Sequence, residues 1–347
     1  MIGGAEREGG GAQKDGEPAR SGNADRADPV AGLSLRRQVG LLLISSFDET
    51  EMPDYIRRRL AAGETAGVIL FGRNGGDAAQ WRNLTRALQR PAKGRALVMV
   101  DQEGGDIRTL AYAGPVAGQA LQGTAAEVER TARATGRELS AAGVNVNLAP
   151  VADVARPGSI MASRAFPGDA ASVAEAIEAS VRGLTRAGVA ATVKHFPGLG
   201  GATVNTDDAP ATVPGELDED LVPYRAAIDA GTPLIMASHA LYPALDDRAI
   251  ASQSRTIISG LLREQLGFAG VIVTDSMEAQ AVLARSDVAT AAERSVEAGV
   301  DLILMTGSAS WNDVFPRLLA RARRDRVFRK RVAESAARVL ALKRSLR

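Results

Sequence analysis

The sequence predicts an α/β protein built as one domain, a (β/α)₈ barrel of the TIM-barrel type, preceded by a disordered N-terminal tail. Three observations carry that prediction. From Leu35 onward, short apolar runs rich in Val, Ile and Leu alternate with longer segments of helical period, the pattern of repeated strand–helix units. Runs such as Val271–Thr274 and Leu302–Met305 are apolar at successive positions, as strands buried on both faces must be. About eight such units over roughly 300 residues fit a closed barrel better than an open doubly wound sheet.

The elements follow in order. Residues 1–33 are rich in Gly, Ala, Asp, Glu and Arg and carry almost no large apolar side chain, so burial cannot offset the entropy of ordering them. The barrel is expected over 34–347. Its strands are placed at Gly40–Ser46, Gly67–Phe71, Ala96–Asp101, Val144–Leu148, Ala190–His195, Leu234–His239, Val271–Asp275 and Asp301–Met305. Helical periodicity falls between them at Ala78–Leu88, Ala125–Ala142, Ala171–Ala187, Leu217–Ala230, Thr256–Leu266 and Val288–Ala298. A last, basic helix over Val327–Leu346 has an apolar stripe through Val332, Ala336, Val339 and Leu342. It is expected to pack on the barrel exterior, with an acidic partner as the alternative.

Composition narrows the chemistry. The chain holds 42 Lys+Arg against 41 Asp+Glu, so it has no electrostatic footprint for nucleic acid. It has 0 cysteines, which excludes disulfides, thiolate metal sites and a cysteine nucleophile. Its 2 histidines, His195 and His239, cannot form a three-histidine metal site. Metal chemistry on carboxylates alone stays formally open, although no two carboxylates show a recognised metal spacing. No apolar run approaches a bilayer span of about 20 residues, so membrane insertion is not expected. With neither a secretory h-region nor a lipidation cysteine, the chain is expected in the cytoplasm, or in the cell envelope if translation starts upstream. It is expected to act as a monomer.

Barrel enzymes work at the carboxyl ends of their strands, so polar residues ending apolar runs are site candidates. Asp101, Asn147 with Asp153, Lys194 with His195, His239 and Asp275 all qualify. Taken singly, each has an ordinary structural role open to it. Asp275 could cap the helix expected to start at Ser276, and either histidine could simply satisfy backbone groups. Their delivery to one face from five strand ends is the stronger signal.

Five segments occur in an order and spacing that resemble family 3 glycoside hydrolases. They are Val100-Asp-Gln-Glu-Gly-Gly105, Asn147-Leu-Ala-Pro-Val-Ala-Asp-Val154, Ser163-Arg-Ala-Phe166, Val193-Lys-His-Phe-Pro-Gly198 and Val271-Ile-Val-Thr-Asp-Ser276. Within that family the chain is most similar to single-barrel bacterial β-N-acetylhexosaminidases that recycle cell-wall amino sugars. The resemblance implies removal of terminal β-linked N-acetylglucosamine, or a related β-glycoside, by a retaining mechanism with no metal or organic cofactor. It makes Asp275 the nucleophile and gives Asp101, Arg164, Lys194 and His195 the sugar hydroxyls. That assignment suits a reaction needing an ionised carboxylate flanked by cationic donors.

The chain departs from the family pattern twice. The arginine expected at position 109 is Arg108, one residue early; a one-residue shift in an extended segment reverses side-chain direction, so Arg108 takes the sugar-binding place only if the loop is remodelled. The family's Asp-Ser-His triplet, whose histidine is the acid/base, is absent from the stretch Leu199–Asp208. Asn205 stands for the orienting aspartate and Asp207 for the histidine. Three readings follow: Asp207 or Asp208 is the acid/base; hydrolysis is slow and limited to good leaving groups; or the barrel binds glycan or muropeptide without efficient turnover. Asn205–Asp208 could also be a plain polar turn. Gly198, Gly200 and Gly201 are expected to give the loop hinge freedom.

Overall fold

The computed structural model describes residues 29–346; nearly all of the expected tail lies outside them. Where that stretch is described, Val30 is buried and its carbonyl accepts the Leu33 N–H at 2.9 Å.

All eight expected strands are present, seven of them shorter than their apolar runs and β5 one residue longer: β1 Leu43–Ser45, β2 Gly67–Ile69, β3 Leu97–Val100, β4 Val146–Asn147, β5 Ala190–Phe196, β6 Leu234–Ala237, β7 Val271–Thr274 and β8 Ile303–Leu304. Every neighbouring pair is parallel, running from β7 through β6, β5, β4, β3, β2 and β1 to β8. The ring closes where Val273 bridges Leu302, with the Leu302 N–H on the Ile272 carbonyl at 2.9 Å and the Thr274 N–H on the Leu302 carbonyl at 3.0 Å. Strand residues such as Leu43, Val68, Met99, Val146, Val193, Ile235, Val273 and Ile303 are buried, which explains why the runs read as continuously apolar.

The longer helices are α1 Leu35–Gly40, α2 Asp54–Ala62, α3 Ala78–Gln89, α4 Ala125–Ala141, α5 Ala170–Arg186, α6 Val222–Asp229, α7 Thr256–Gln265, which is wound as a π-helix, α8 Val288–Ala298, α9 Trp311–Arg324 and α10 Arg326–Ser345. Several starts are marked by an aspartate whose carboxylate accepts first-turn N–H groups. Asp77 takes those of Ala79 and Gln80, Asp169 that of Ser172, and Asp325 those of Val327 and Phe328. Helix α6 begins five residues later than its apolar pattern, with Pro223 in its first turn. Helix α10 packs through Phe328, Val332, Ala336, Val339 and Leu342, so its apolar stripe is buried on the barrel exterior as expected.

Candidate active site

Asp101, Arg108, Arg164, Lys194, His195, Asp207 and Asp275 all line one cavity of about 620 Å³ at the carboxyl end of the barrel. Strand geometry puts them there. Asp101 follows β3, Lys194 and His195 lie within the last turn of β5, and Asp275 follows β7.

The charged floor is a compact network. Lys194 Nζ sits 2.6 Å from Asp101 Oδ1 and 2.7 Å from Glu103 Oε1. Arg164 grips Glu103 with two parallel bonds of 2.9 and 2.8 Å, a fork that fixes both planes. Glu103 is buried. Burial alone would raise its pKa, but the charges of Lys194 and Arg164 overcome that and hold it at about 2. Burial likewise acts against the ammonium of Lys194, yet Asp101 and Glu103 keep its pKa above the ordinary lysine value. Sequence reasoning assigned no role to Glu103. Its position two residues from Asp101 in the same extended segment, which points both side chains to one side, was the available signal.

His195 is positioned by Asp153, an aspartate noted at a strand end but given no task. His195 Nδ1 lies 2.8 Å from Asp153 Oδ2, and Asp153 Oδ1 also accepts the backbone N–H of His195 at 3.2 Å and of Leu199 at 2.6 Å. This leaves His195 Nε2 facing Asp275, 4.0 Å from Oδ2. The Lys194–His195 and Phe196–Pro197 peptides are both cis.

Asp275 does not cap a helix. The next helical turn starts only at Gln280, and Asp275 Oδ1 accepts the Ser276 N–H at 2.8 Å. Burial would raise its pKa, but His195, His239 and Lys194 pull it below the ordinary aspartate value. His239 is buried, with Nδ1 2.7 Å from Ser252 Oγ. Burial lowers its pKa against the opposing charge of Asp275. Beside Asp275, Ser276 Oγ lies 2.6 Å from Thr306 Oγ1, and Glu278 accepts the Thr306 N–H at 2.8 Å, locking the ends of β7 and β8 together.

Asp207 reaches the cavity from the loop after β5. The Thr206 and Asp207 carbonyls accept the N–H groups of Ala281 and Gln280 at 3.0 and 3.1 Å, seating the loop on the turn that follows Asp275. Asn205 Oδ1 accepts the Asp207 N–H at 3.1 Å, so Asn205 holds the backbone at 207. Part of Asp207 stays exposed, but burial of its carboxyl and the negative charge of Asp275 push its pKa up, against the opposing pull of His195 and Arg164. The cavity wall includes Asp207 and not Asp208. Gly200 serves close packing: a Cβ there would lie 1.9 Å from the Val154 carbonyl oxygen. Tyr242 clamps the loop base by donating to the Gly198 carbonyl at 3.0 Å.

Arg108 lines the cavity, but its guanidinium donates to the carbonyls of Gly105 at 3.2 Å and Ala111 at 3.3 Å, bracing its own loop. Thr109 turns inward and places its N–H and Oγ1 on the Asp101 carbonyl at 3.0 and 2.9 Å. Gln102, buried beneath this loop, donates to the carbonyls of Leu110, Ala113 and Gly114, and its backbone N–H bonds Asn147 Oδ1.

A closed parallel barrel that gathers fixed cations and two carboxylates of opposite pKa shift at its strand ends has the site of a barrel glycosidase. The chain belongs to glycosyl hydrolase family 3: the model for the family's N-terminal domain matches residues 34–342. A β-hexosaminidase of Xanthomonas oryzae pv. oryzae is 34% identical over 278 residues, covering 76% of this chain and 83% of that protein. A β-N-acetylhexosaminidase structure from Beutenbergia cavernae is 35% identical with a TM-score of 0.81, covering 90% of this chain and 98% of that one. The structure of a family 3 β-N-acetylglucosaminidase from a Paenibacillus species is 36% identical with a TM-score of 0.87, covering 90% of this chain and 63% of that one. A protein from Arthroderma benhamiae described as an uncharacterized secreted glycosyl hydrolase is 31% identical over 340 residues, covering 92% of this chain and 96% of that protein. Among the described residues no helix is long and apolar enough to cross a membrane.

Proposed function

We propose that this family 3 glycoside hydrolase removes terminal β-linked N-acetylglucosamine, or a close relative, from cell-wall-derived saccharides by a retaining two-step mechanism. The observation that carries the reading is the opposite perturbation of two carboxyl groups in one cavity, Asp275 shifted down and Asp207 shifted up. Pairs pushed apart in this way divide into a nucleophile and an acid.

In the first step an Asp275 carboxylate oxygen attacks the anomeric carbon. The glycosidic bond breaks, and its oxygen takes the proton of Asp207. Asp207, now ionised, accepts a proton from water as that water attacks the anomeric carbon and frees Asp275. Lys194, Asp101, Arg164 and His195 hold the ring hydroxyls. Glu103 keeps the two cationic chains aligned for that task, and Asp153 keeps His195 Nε2 turned to the cavity. The curated hexosaminidase and the two solved structures support the choice of amino sugar.

The experiment compares aryl β-N-acetylglucosaminides carrying good and poor leaving groups. Asp207→Asn should lose about 10²- to 10⁴-fold on the poor leaving group and little in the glycosylation step on the good one, because an activated phenolate departs without a proton. Equal losses on both substrates would remove Asp207 from the acid role. Wild-type protein that binds these compounds but releases no sugar would overturn the hydrolytic reading.

A further inference from the structure

A second cavity, of about 340 Å³, lies at the opposite end of the barrel, where α10 and the end of α2 meet the entries to β1, β2 and β3. Its wall carries four cationic side chains, Arg37, Lys93, Arg95 and Lys343, and no acidic one. Arg37, Lys93 and Arg95 are exposed on its rim and Lys343 is half-buried; among the described residues none of the three rim cations is paired with a carboxylate. Lys343 donates to the Ala66 carbonyl at 2.6 Å, which leaves the rest of its ammonium without an acceptor. Helix α2 ends at this cavity and offers the partial negative charge of its last carbonyls, and these fall short of four full positive charges.

Burial of an uncompensated ammonium is costly, and Lys343 responds: burial, with help from Arg95, brings its pKa down to about 7. The hydrolytic cavity handles its cations differently, since there Lys194 and Arg164 each meet a carboxylate within 2.9 Å. Four cations without a counter-charge suit a dianion better than a monoanion, and guanidinium forks match the oxygens of a phosphate. Leu33, Leu41, Leu60 and Leu340 add an apolar wall.

We propose that this cavity is a binding site for a phosphate group, free or on a small organic molecule, held by Arg37, Lys93, Arg95 and Lys343. It shares no lining residue with the hydrolytic cavity, so it stands independently of the reading of that site.

Calorimetric titration of the full chain with inorganic phosphate and with phenyl phosphate tests the proposal, with acetate as the monoanion control. Saturable binding of both phosphates and none of acetate is expected. Equal affinities assign the site to free phosphate, and tighter binding of phenyl phosphate assigns it to an organophosphate using the leucine wall. Arg95→Ala and Lys343→Met should each weaken binding roughly tenfold or more. Lys343→Met should also raise the phosphate-free Tm, because a methionine relieves the unpaired ammonium while filling similar space. The proposal fails if the wild type shows no saturable binding, if acetate binds as well as phosphate, or if both variants keep wild-type affinity. A lower Tm in Lys343→Met with unchanged phosphate binding would mark the lysine as structural and overturn its part. Should that variant not fold, Arg95→Ala on the exposed rim decides alone.

Discussion

Two buried carboxylates sit at opposite ends of this barrel, and each has collected several cations. At the carboxyl end, Glu103 is shared by Arg164 and Lys194, and Lys194 continues to Asp101 at the cavity. At the amino end, Asp301 opens β8 and binds Arg263 from α7 with Arg331 and Arg338 from α10. It also accepts the Ser335 hydroxyl at 2.8 Å and the Ile272 N–H at 3.0 Å. Both networks look alike as lists of ion pairs. They differ in where they open: Arg263, Arg331 and Arg338 line a cavity of about 710 Å³ walled by α7, α8, α9 and α10 on the barrel exterior, whereas the Glu103 network opens at the carboxyl ends of β3, β5 and β7. A buried ion network in a barrel is placed for catalysis when it opens at the carboxyl ends of the strands, where several loops converge.

The sharpest test of that distinction is a pair of substitutions. Asp275→Ala should reduce turnover at least about 10³-fold while leaving Tm close to wild type, because the residue stabilises a transition state rather than the fold. Asp301→Ala should do the reverse. Three guanidiniums lose their carboxylate, a change expected to cost about 3–5 kcal/mol in a denaturant titration, with kcat of the folded fraction retained. Equal effects of the two on stability, or loss of kcat in Asp301→Ala, would dissolve the contrast between the ends.

The Glu103 network should nevertheless contribute stability with its own pH signature. Its pKa is lowered from 4.5 to about 2 in the folded chain. A depressed carboxylate stabilises fully above its unfolded pKa, and that contribution is lost as pH falls through the folded value. Unfolding free energy should therefore drop by roughly 3 kcal/mol between about pH 5 and pH 2. In Glu103→Gln that part of the slope should disappear. A smaller effect is expected of Ser252→Ala, which removes the 2.7 Å partner of His239 Nδ1. It should cost about 1 kcal/mol of stability, and a modest change in the acid limb of the pH–rate profile would report His239 acting on Asp275.

Much of this was legible in the amino-acid order because barrel strands are buried on both faces. Continuous runs such as Val271–Thr274 mark strands directly, and the polar residue after each run marks the active end. Asp101, Lys194, His195 and Asp275, singled out in this way, and Arg164 and Asp207, singled out by motif position, all line one cavity. Less legible were groups whose task depends on a partner far along the chain. Glu103 acts through Arg164 and Lys194, and Asp153 through its bonds to His195 and Leu199. The inward turn of Thr109 and the outward-braced Arg108 depend on a loop path set by buried Gln102. Gly200 was read as a hinge, but its requirement is steric, imposed by the Val154 carbonyl.

The seat of the loop after β5 bears on how such a site can change its chemistry. The contacts that dock it run from the carbonyls of Thr206 and Asp207 to the amides of Ala281 and Gln280, backbone to backbone. No side chain at 207 takes part in holding the loop down. In the proposed mechanism the position works as a socket: the main chain sets where the reactive group is presented, and the residue inserted there sets which proton donor is presented. Exchange of an imidazole for a carboxyl at 207 leaves this mounting intact, whereas proline at 280 or 281, which lacks the donated N–H, would remove one of its two bonds.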